Sequence, residues 1–589
     1  MLDSNDKSVT IMKKSYIYKG VAALMMAFSL SACSDFLDKE PSNELTGEKT
    51  FSDWVTLEQF HWDTYNFLLN GECRVNGSWL DAATDLAECA VSSSGTRNSF
   101  NIGNYYTTAA EAELSSPWES RYRAIRKCNM LLARIDAVPQ PTDIDQATYE
   151  ARKSYYKGEA MTLRVWFYWE LFLRYGTVPI VKDVLDPDGD LLSNYTERPS
   201  IKDYADFLLS ELDAAYPLVM DKATSYESGN EGRINKPIVK ALKSRILLYM
   251  ASPRFASGSG RTWQEAADAA KEFIDNFGTE FPLMADYTDA IIKNAHSEKN
   301  TEVIFYRSDV SQGWGSYGYN IDVPVGEGGN GGLCPSQNLV DMYDMANGAA
   351  PFTTYDATGA PVYTSSTVCP AINAASYYDD SRPTAGRDPR LAASILFHGV
   401  AWNGRNINIV RGGEDNPIGN ANATPTGYYV RKYMPETILV NNHQGNSYRN
   451  WIFIRYAEIL LNYAEALNEV DFTANKTTIC NLLNQVRQRG GITGSVASRA
   501  DLNTQEAMRN FIHKERTVEL AFEEHRWWDV RRWGVAKEAL SRDIIGMDVA
   551  HNGRYTRKVA QKRVFEDHMY LYPIPEGEYW KTGFQNPKW

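Results

Sequence analysis

The stretch Phe511–Gly534, FIHKERTVELAFEEHRWWDVRRWG, constrains the fold more than any other part of the chain. Arg516, Glu519, Glu523 and Arg526 recur at spacings of three, four and three, which places them on one helical face with opposite signs adjacent. They are expected to pair along that helix. Phe511, Val518, Ala521, Phe522 and Trp528 form a second stripe, and Leu520 with Trp527 widens it until the helix is apolar round much of its circumference. Such a helix is buried, and arginines and glutamates carried into a core have to be paired. The four charges are therefore expected to form an ionic clasp that fixes the packing of several helices. A rival reading makes Glu523, Glu524, His525 and Asp529 a catalytic cluster, but the chain has no HEXXH or CxxC pattern to support it.

The start of the chain reads as a sorting signal. Lys13, Lys14 and Lys19 precede the apolar run Val21–Leu30, and Leu30-Ser31-Ala32-Cys33 closes it. A basic region, a short apolar core and small residues before the break describe a secretory signal peptide over residues 1–33, too short to span a bilayer, with Met12 the expected true start. The Leu-Ser-Ala-Cys ending resembles a bacterial lipobox, in which Cys33 would become the lipidated first residue. No later stretch approaches the roughly 18 uninterrupted apolar residues of a spanning helix. The expectation is a soluble body, residues 34–589, tethered by lipid.

Without residues 1–33 the chain loses four lysines and two aspartates, leaving 57 basic against 72 acidic groups and a net charge of −15. That excludes a general electrostatic attraction to nucleic acid. The 35 tyrosines and 15 tryptophans exceed what periodic core positions account for, because many sit in Gly/Asn-rich loops. Six cysteines follow Cys33, spaced too irregularly to choose among fifteen connectivities, and several are expected to be free and buried.

Apolar spacing predicts helices over Ser52–Asn70, Ser116–Val138, Tyr149–Tyr175, Ser200–Leu218, Lys236–Ala251 and Trp263–Phe277. Another is expected from Trp451, where Ile452, Tyr456, Ile459, Leu460, Tyr463 and Leu467 share a face, and a partner over Thr477–Arg489. Helical pairs over about 50–300 and 451–545 point to a mainly α, solenoid-like stack. Between about residues 300 and 450, Gly, Asn, Ser, Pro and Thr dominate, yet Trp314, Tyr317, Tyr319, Tyr343, Trp402, Tyr428 and Tyr429 argue against disorder. A region of that length without periodicity is usually functional. Its run Gly326–Gly332 is no phosphate loop, since the GKS/T ending is missing. Asp186, Asp188, Asp190, Asn194 and Glu197 fit positions of a calcium loop, but Leu191 stands where the turn requires Gly. The segment is read as a solvated acidic turn, and no metal is expected.

Four marks in order carry a family resemblance: the lipobox cysteine; Arg455-Tyr-Ala-Glu-Ile-Leu-Leu-Asn-Tyr-Ala-Glu-Ala466; Glu515-Arg-Thr-Val-Glu-Leu-Ala-Phe-Glu-Glu-His-Arg-Trp-Trp-Asp529; and the ending Tyr572-Pro-Ile-Pro with Gln585-Asn586-Pro587. Together they resemble the SusD/RagB family over the whole mature chain. The departures are Glu524, where the family often has Gly, and Lys588-Trp589, where it often has Gly-Tyr.

The resemblance implies a surface-exposed outer-membrane lipoprotein with tetratricopeptide-like helical pairs and a loop-rich ligand-binding region, forming one globular unit. It implies a non-enzymatic protein, without a cofactor, that binds oligosaccharide or polysaccharide and passes it to a SusC-like TonB-dependent transporter. A peptide-binding uptake protein of the same fold, or a glycoside hydrolase with two carboxylates across a cleft, are the alternatives. Sugar rings stack apolar C–H faces on Trp and Tyr while their hydroxyls pair with Asn, Asp and Arg. The matching loops here hold Trp79, Asp81, Arg97, Asn98, Asn101 and Tyr105 after the first helix, and Trp314, Tyr317, Tyr319 and Asn320 in the middle, as the expected ligand-binding residues.

Overall fold

A computed structural model describes residues 51–69, 71, 75, 78–106, 112–186, 189, 195, 197–225, 229–293, 299–308, 322–363, 368–434 and 450–589. Cys33, Trp314, Tyr317, Tyr319 and Asn320 lie outside them, as do Asp188, Asp190 and Asn194 of the acidic turn. The fold is mainly α. Helices α1 (Trp54–Tyr65), α2 (Ala112–Arg134), α3 (Gln146–Tyr175), α4 (Ile201–Ala215), α5 (Lys236–Ala251) and α6 (Trp263–Phe277) are followed, after the loop-rich middle, by α7 (Tyr456–Arg489), α8 (Gln505–Glu519) and α9 (His525–Arg532). Each from α2 to α7 packs on the next, so α6 meets α7 across the whole middle region and the stack is continuous.

The longest early helix shows why the stack holds. Asp145 caps α3 by accepting from the Thr148 N–H at 2.9 Å, and Gly176, at φ +74°, stops it. Residues Thr162 to Phe172 of α3 are all buried, because α2 covers one side and α4 the other. Burying one tryptophan, on the order of 200 Å2, is worth about 5 kcal/mol before its ordering entropy is subtracted. Trp166 also reaches past the helices, its ring 5.1 Å from Phe305 and 5.0 Å from Phe453.

Those two phenylalanines belong to strands. The strands pair as two-stranded antiparallel sheets: β1 (Ala87–Cys89) with β3 (Leu333–Pro335), β2 (Val303–Ser308) with β4 (Asn450–Arg455), and β5 (Ile544–Val549) with β6 (Tyr555–Gln561). The first two tie the first-helix loop and the end of the helical stack to the middle of the chain.

Two expectations are corrected. Trp451–Arg455 is strand, not helix: the run Trp-Ile-Phe-Ile is apolar on both faces and is buried between α3 and α9, where pairing with Val303–Ser308 satisfies its backbone. The two helices expected after it do form, and α7 is not one continuous helix: it breaks at Asp471 (φ −165°), whose carboxylate accepts from the Ala474 N–H at 3.0 Å and caps the second helix. Phe511–Gly534 is not one helix either: α8 ends at Glu519, Phe522 and Glu524 take left-handed φ of 64° and 62°, and α9 starts at His525. Among the described cysteines, Cys89, Cys128, Cys334 and Cys480 are free and buried, and Cys369 is half-buried.

Candidate functional site

If α8 continued, the Glu519 carbonyl would accept the Glu523 N–H. It accepts instead from Arg455 Nη2 at 2.7 Å, Tyr287 Oη at 3.0 Å and Lys432 Nζ at 3.2 Å. Three outside donors, two of them cationic and set at the negative end of the helix, displace one main-chain N–H.

The four charges chosen by spacing are all buried, and none pairs with another. The expectation of pairing along one helix is therefore corrected. Glu519 accepts from Arg455 at 2.6 Å and Arg390 at 2.8 Å, and also from Arg489; Glu523 accepts from Lys432 at 2.7 Å and Arg455 Nε at 2.8 Å. Arg516 donates to Asp529 at 2.7 Å and Asn462 at 2.6 Å, while Arg526 forks onto Asp85 at 2.9 and 2.7 Å and reaches the Thr358 carbonyl at 2.6 Å. Because α8 and α9 meet at a break, Glu519 and Glu523 share Arg455 of β4, while Arg516 and Arg526 turn to other partners. Burial opposes ionisation of Glu523, but Arg455 and Lys432 outweigh it and hold the carboxyl below its usual range. Burial pushes the Lys432 ammonium down to about 8. The rival cluster is occupied in the same way. Arg516 and Arg532 hold Asp529, and His525 is driven far below its usual range by burial and by Arg245 and Arg516.

The ligand-binding residues expected after the first helix divide by burial. Trp79 is buried edge-on against Tyr433 and Trp451, with ring centroids at 5.5 and 5.7 Å, and its Nε1 donates to Asp322 at 3.0 Å. Asp81 is buried in a 3-10 turn, where Oδ2 accepts the Glu524 N–H at 3.3 Å; burial raises its pKa to about 7, against the pull of that N–H and of Lys432. Buried Asn101 donates to the Ala82 carbonyl at 3.1 Å and Glu88 at 3.3 Å, and buried Tyr105 stacks on Phe100 at 4.7 Å. All four are buried and hold the loop in this structure. Arg97 is half-buried and Asn98 exposed. Tyr343, Trp402, Tyr428 and Tyr429, loop aromatics without periodicity, are buried as well: loops of this length need internal anchors. An aromatic of the loop after the first helix that does face solvent was missed. It is Tyr106, 60% exposed next to Tyr105, and nothing in the Tyr-Tyr pair told the two apart.

A second feature has no local sequence signal at all. A cleft of about 1050 Å3 opens between the Asp356–Tyr363 loop, the segment Gly534–Ile545 and strand β6. Tyr363 lines it, with its hydroxyl donating to buried Asp341 at 2.7 Å, and Asp341 in turn accepts from Arg557 of β6 at 2.6 and 2.8 Å. Across the cleft Arg542 donates to Asp356 at 2.7 Å and lies 3.9 Å from Glu538 and 5.6 Å from the Tyr363 ring.

Residues 301–589 match the model of the SusD family, and residues 35–248 match a second model described as starch-binding associating with outer membrane. The chain belongs to the SusD/RagB family. A SusD-like protein of Formosa agariphila is 23% identical over 537 residues, 88% of this chain and 90% of its own length. A crystal structure of a SusD-like protein from Bacteroides fragilis NCTC 9343 matches with a TM-score of 0.75 and 26% identity, covering 94% of this chain and all of that one. A SusD-like carbohydrate binding protein from the same strain matches with a TM-score of 0.70 and 23% identity, over 90% and 99% of the two chains. The left-handed Glu524 of this SusD-like chain stands where glycine would carry no steric cost.

Proposed function

We propose that this SusD-like chain captures glycans at the outer-membrane surface without turning them over, anchored by lipid on Cys33, and delivers them to a SusC-like TonB-dependent transporter. The observation that carries the reading is the pair of family matches, one of them described as starch-binding associating with outer membrane. A structural relative described as carbohydrate binding supports it. Exposed Asn98 and Tyr106, with half-buried Arg97, supply hydrogen-bonding groups and a ring on the loop after the first helix. Trp314, Tyr317, Tyr319 and Asn320 are proposed as their mid-chain complement, and Trp79, Asp81, Asn101 and Tyr105 as the residues that position the loop.

Isothermal calorimetry of residues 34–589 against neutral, acidic and amino-sugar polysaccharides, with chromatography of the same samples, tests the reading. Heat of binding with no new reducing ends is expected. Accumulating products would make the chain a hydrolase, and affinity for peptides alone would make it a peptide carrier. The anchor is tested in cells: Cys33→Ser should move the protein from the membrane fraction to the medium.

A further inference from the structure

We propose that the cleft between the Asp356–Tyr363 loop and the Gly534–Ile545 segment is a second glycan site, built for a neutral oligosaccharide. The proposal rests on the glycan-capture reading and adds a site on a part of the surface formed by other segments.

The cleft's volume of about 1050 Å3 suits several sugar rings. Its wall offers a fixed aromatic face: the Tyr363 hydroxyl is held by Asp341, which Arg557 clamps from behind, so the ring is half-buried and cannot swing away. Apolar side chains flank it. Val362 is 38% exposed, and Val559 is 43% exposed where the β5–β6 register slips between Val559 and Gln561, a break that re-aims a side chain. Pyranose C–H faces stack on such a surface.

The polar side selects charge. Arg542 is engaged by Asp356 at 2.7 Å, and the exposed Lys537 has Asp567 beside it at 3.1 Å, so a sulfated or uronic chain would have to displace a carboxylate from either cation. Glu538 lies beside Asp356, and burial, then the Asp356 carboxylate, raises its pKa; a further anion would be repelled. Uncharged hydroxyls, which donate to Asp356 and Glu538 and accept from Arg542, satisfy all three groups.

The test uses residues 34–589 as wild type, Tyr363→Ala and Val362→Arg, run on native gels that contain soluble starch, a β-1,3-glucan or a galactomannan. Val362→Arg plugs the cleft from its exposed rim without touching the buried Asp341 pair, so it reports even if Tyr363→Ala fails to fold. Retardation of the wild type by at least one polysaccharide, weakened about tenfold in either folded variant, is expected. Equal retardation of wild type and Val362→Arg would overturn the cleft while leaving glycan capture intact. No retardation of the wild type by any of the three would overturn this proposal and count against the reading on which it rests.

Discussion

Asp81 accepts one main-chain N–H, while the Lys432 ammonium that attracts it is engaged by Glu523. Its carboxyl therefore holds a proton up to about pH 7 in the folded chain, against the usual 3.8. The native state binds that proton more tightly than the unfolded state, so the group favours folding below pH ~4 and loses that contribution as pH rises toward 7. The full cost above pH 7 is about 4 kcal/mol. Asp81→Asn should therefore stabilise the protein, and the gain should grow by about 2–3 kcal/mol between pH 5 and pH 8 in urea unfolding. A gain that does not vary with pH would show that Asp81 does not titrate in this window. Glu524 offers a second test, because its left-handed backbone costs an L-residue about 1–2 kcal/mol, partly offset in a Gly variant by a freer unfolded chain. Glu524→Gly should raise stability by about 0.5–1 kcal/mol, and Glu524→Ala should not. Residue type made Asp81 and Trp79 look like ligand contacts, since a loop carboxylate and a loop indole are good sugar partners. Which loop residues face inward depends on what packs over them, and single positions do not record that.

Elements were legible where period and caps agreed. Lys236–Ala251 and Trp263–Phe277 form as their apolar spacing predicts, the second opened by a capping box of Thr262 and Glu265. The end of α8 was not legible, because Ala-Phe-Glu-Glu-His-Arg-Trp-Trp contains no helix breaker; donors on β4 and near residue 432 end it. Arg455 is the centre of that junction, joined to Glu302, Glu519 and Glu523 at 2.6 to 2.8 Å. Arg455→Met keeps the apolar stem and removes the charge, leaving three buried carboxylates short of a cation. A loss of about 3–5 kcal/mol is expected, read as a lower urea midpoint, because half of a buried pair costs more than no pair. An unchanged midpoint would mean that Arg390, Arg489 and Lys432 suffice.

Across the whole molecule, the helical stack and the family marks were readable because both rest on runs of residues. The cleft of Tyr363 and Arg542 was not, since its walls come from three segments that no spacing links. The C-terminus shows the same long reach. Asn586 donates to the carbonyls of Tyr175 at 3.1 Å and Tyr572 at 2.7 Å and accepts from Arg198 at 2.9 Å, so one side chain fastens the end of α3 to the end of the chain. Asn586→Ala leaves those groups unpaired, and a loss of about 2 kcal/mol or more is expected, with faster hydrogen exchange at the last turn of α3. The buried ionic layer bears on how the chain comes into being. Asp85, Arg390 and Arg455 leave the ribosome before the partners on α8 and α9 that help to neutralise them. Until roughly nine-tenths of the polypeptide has been made, those early charges have nowhere dry to go. A nascent chain of this sequence thus stays uncommitted through most of its own synthesis, and closes its interior only when the last sixth arrives.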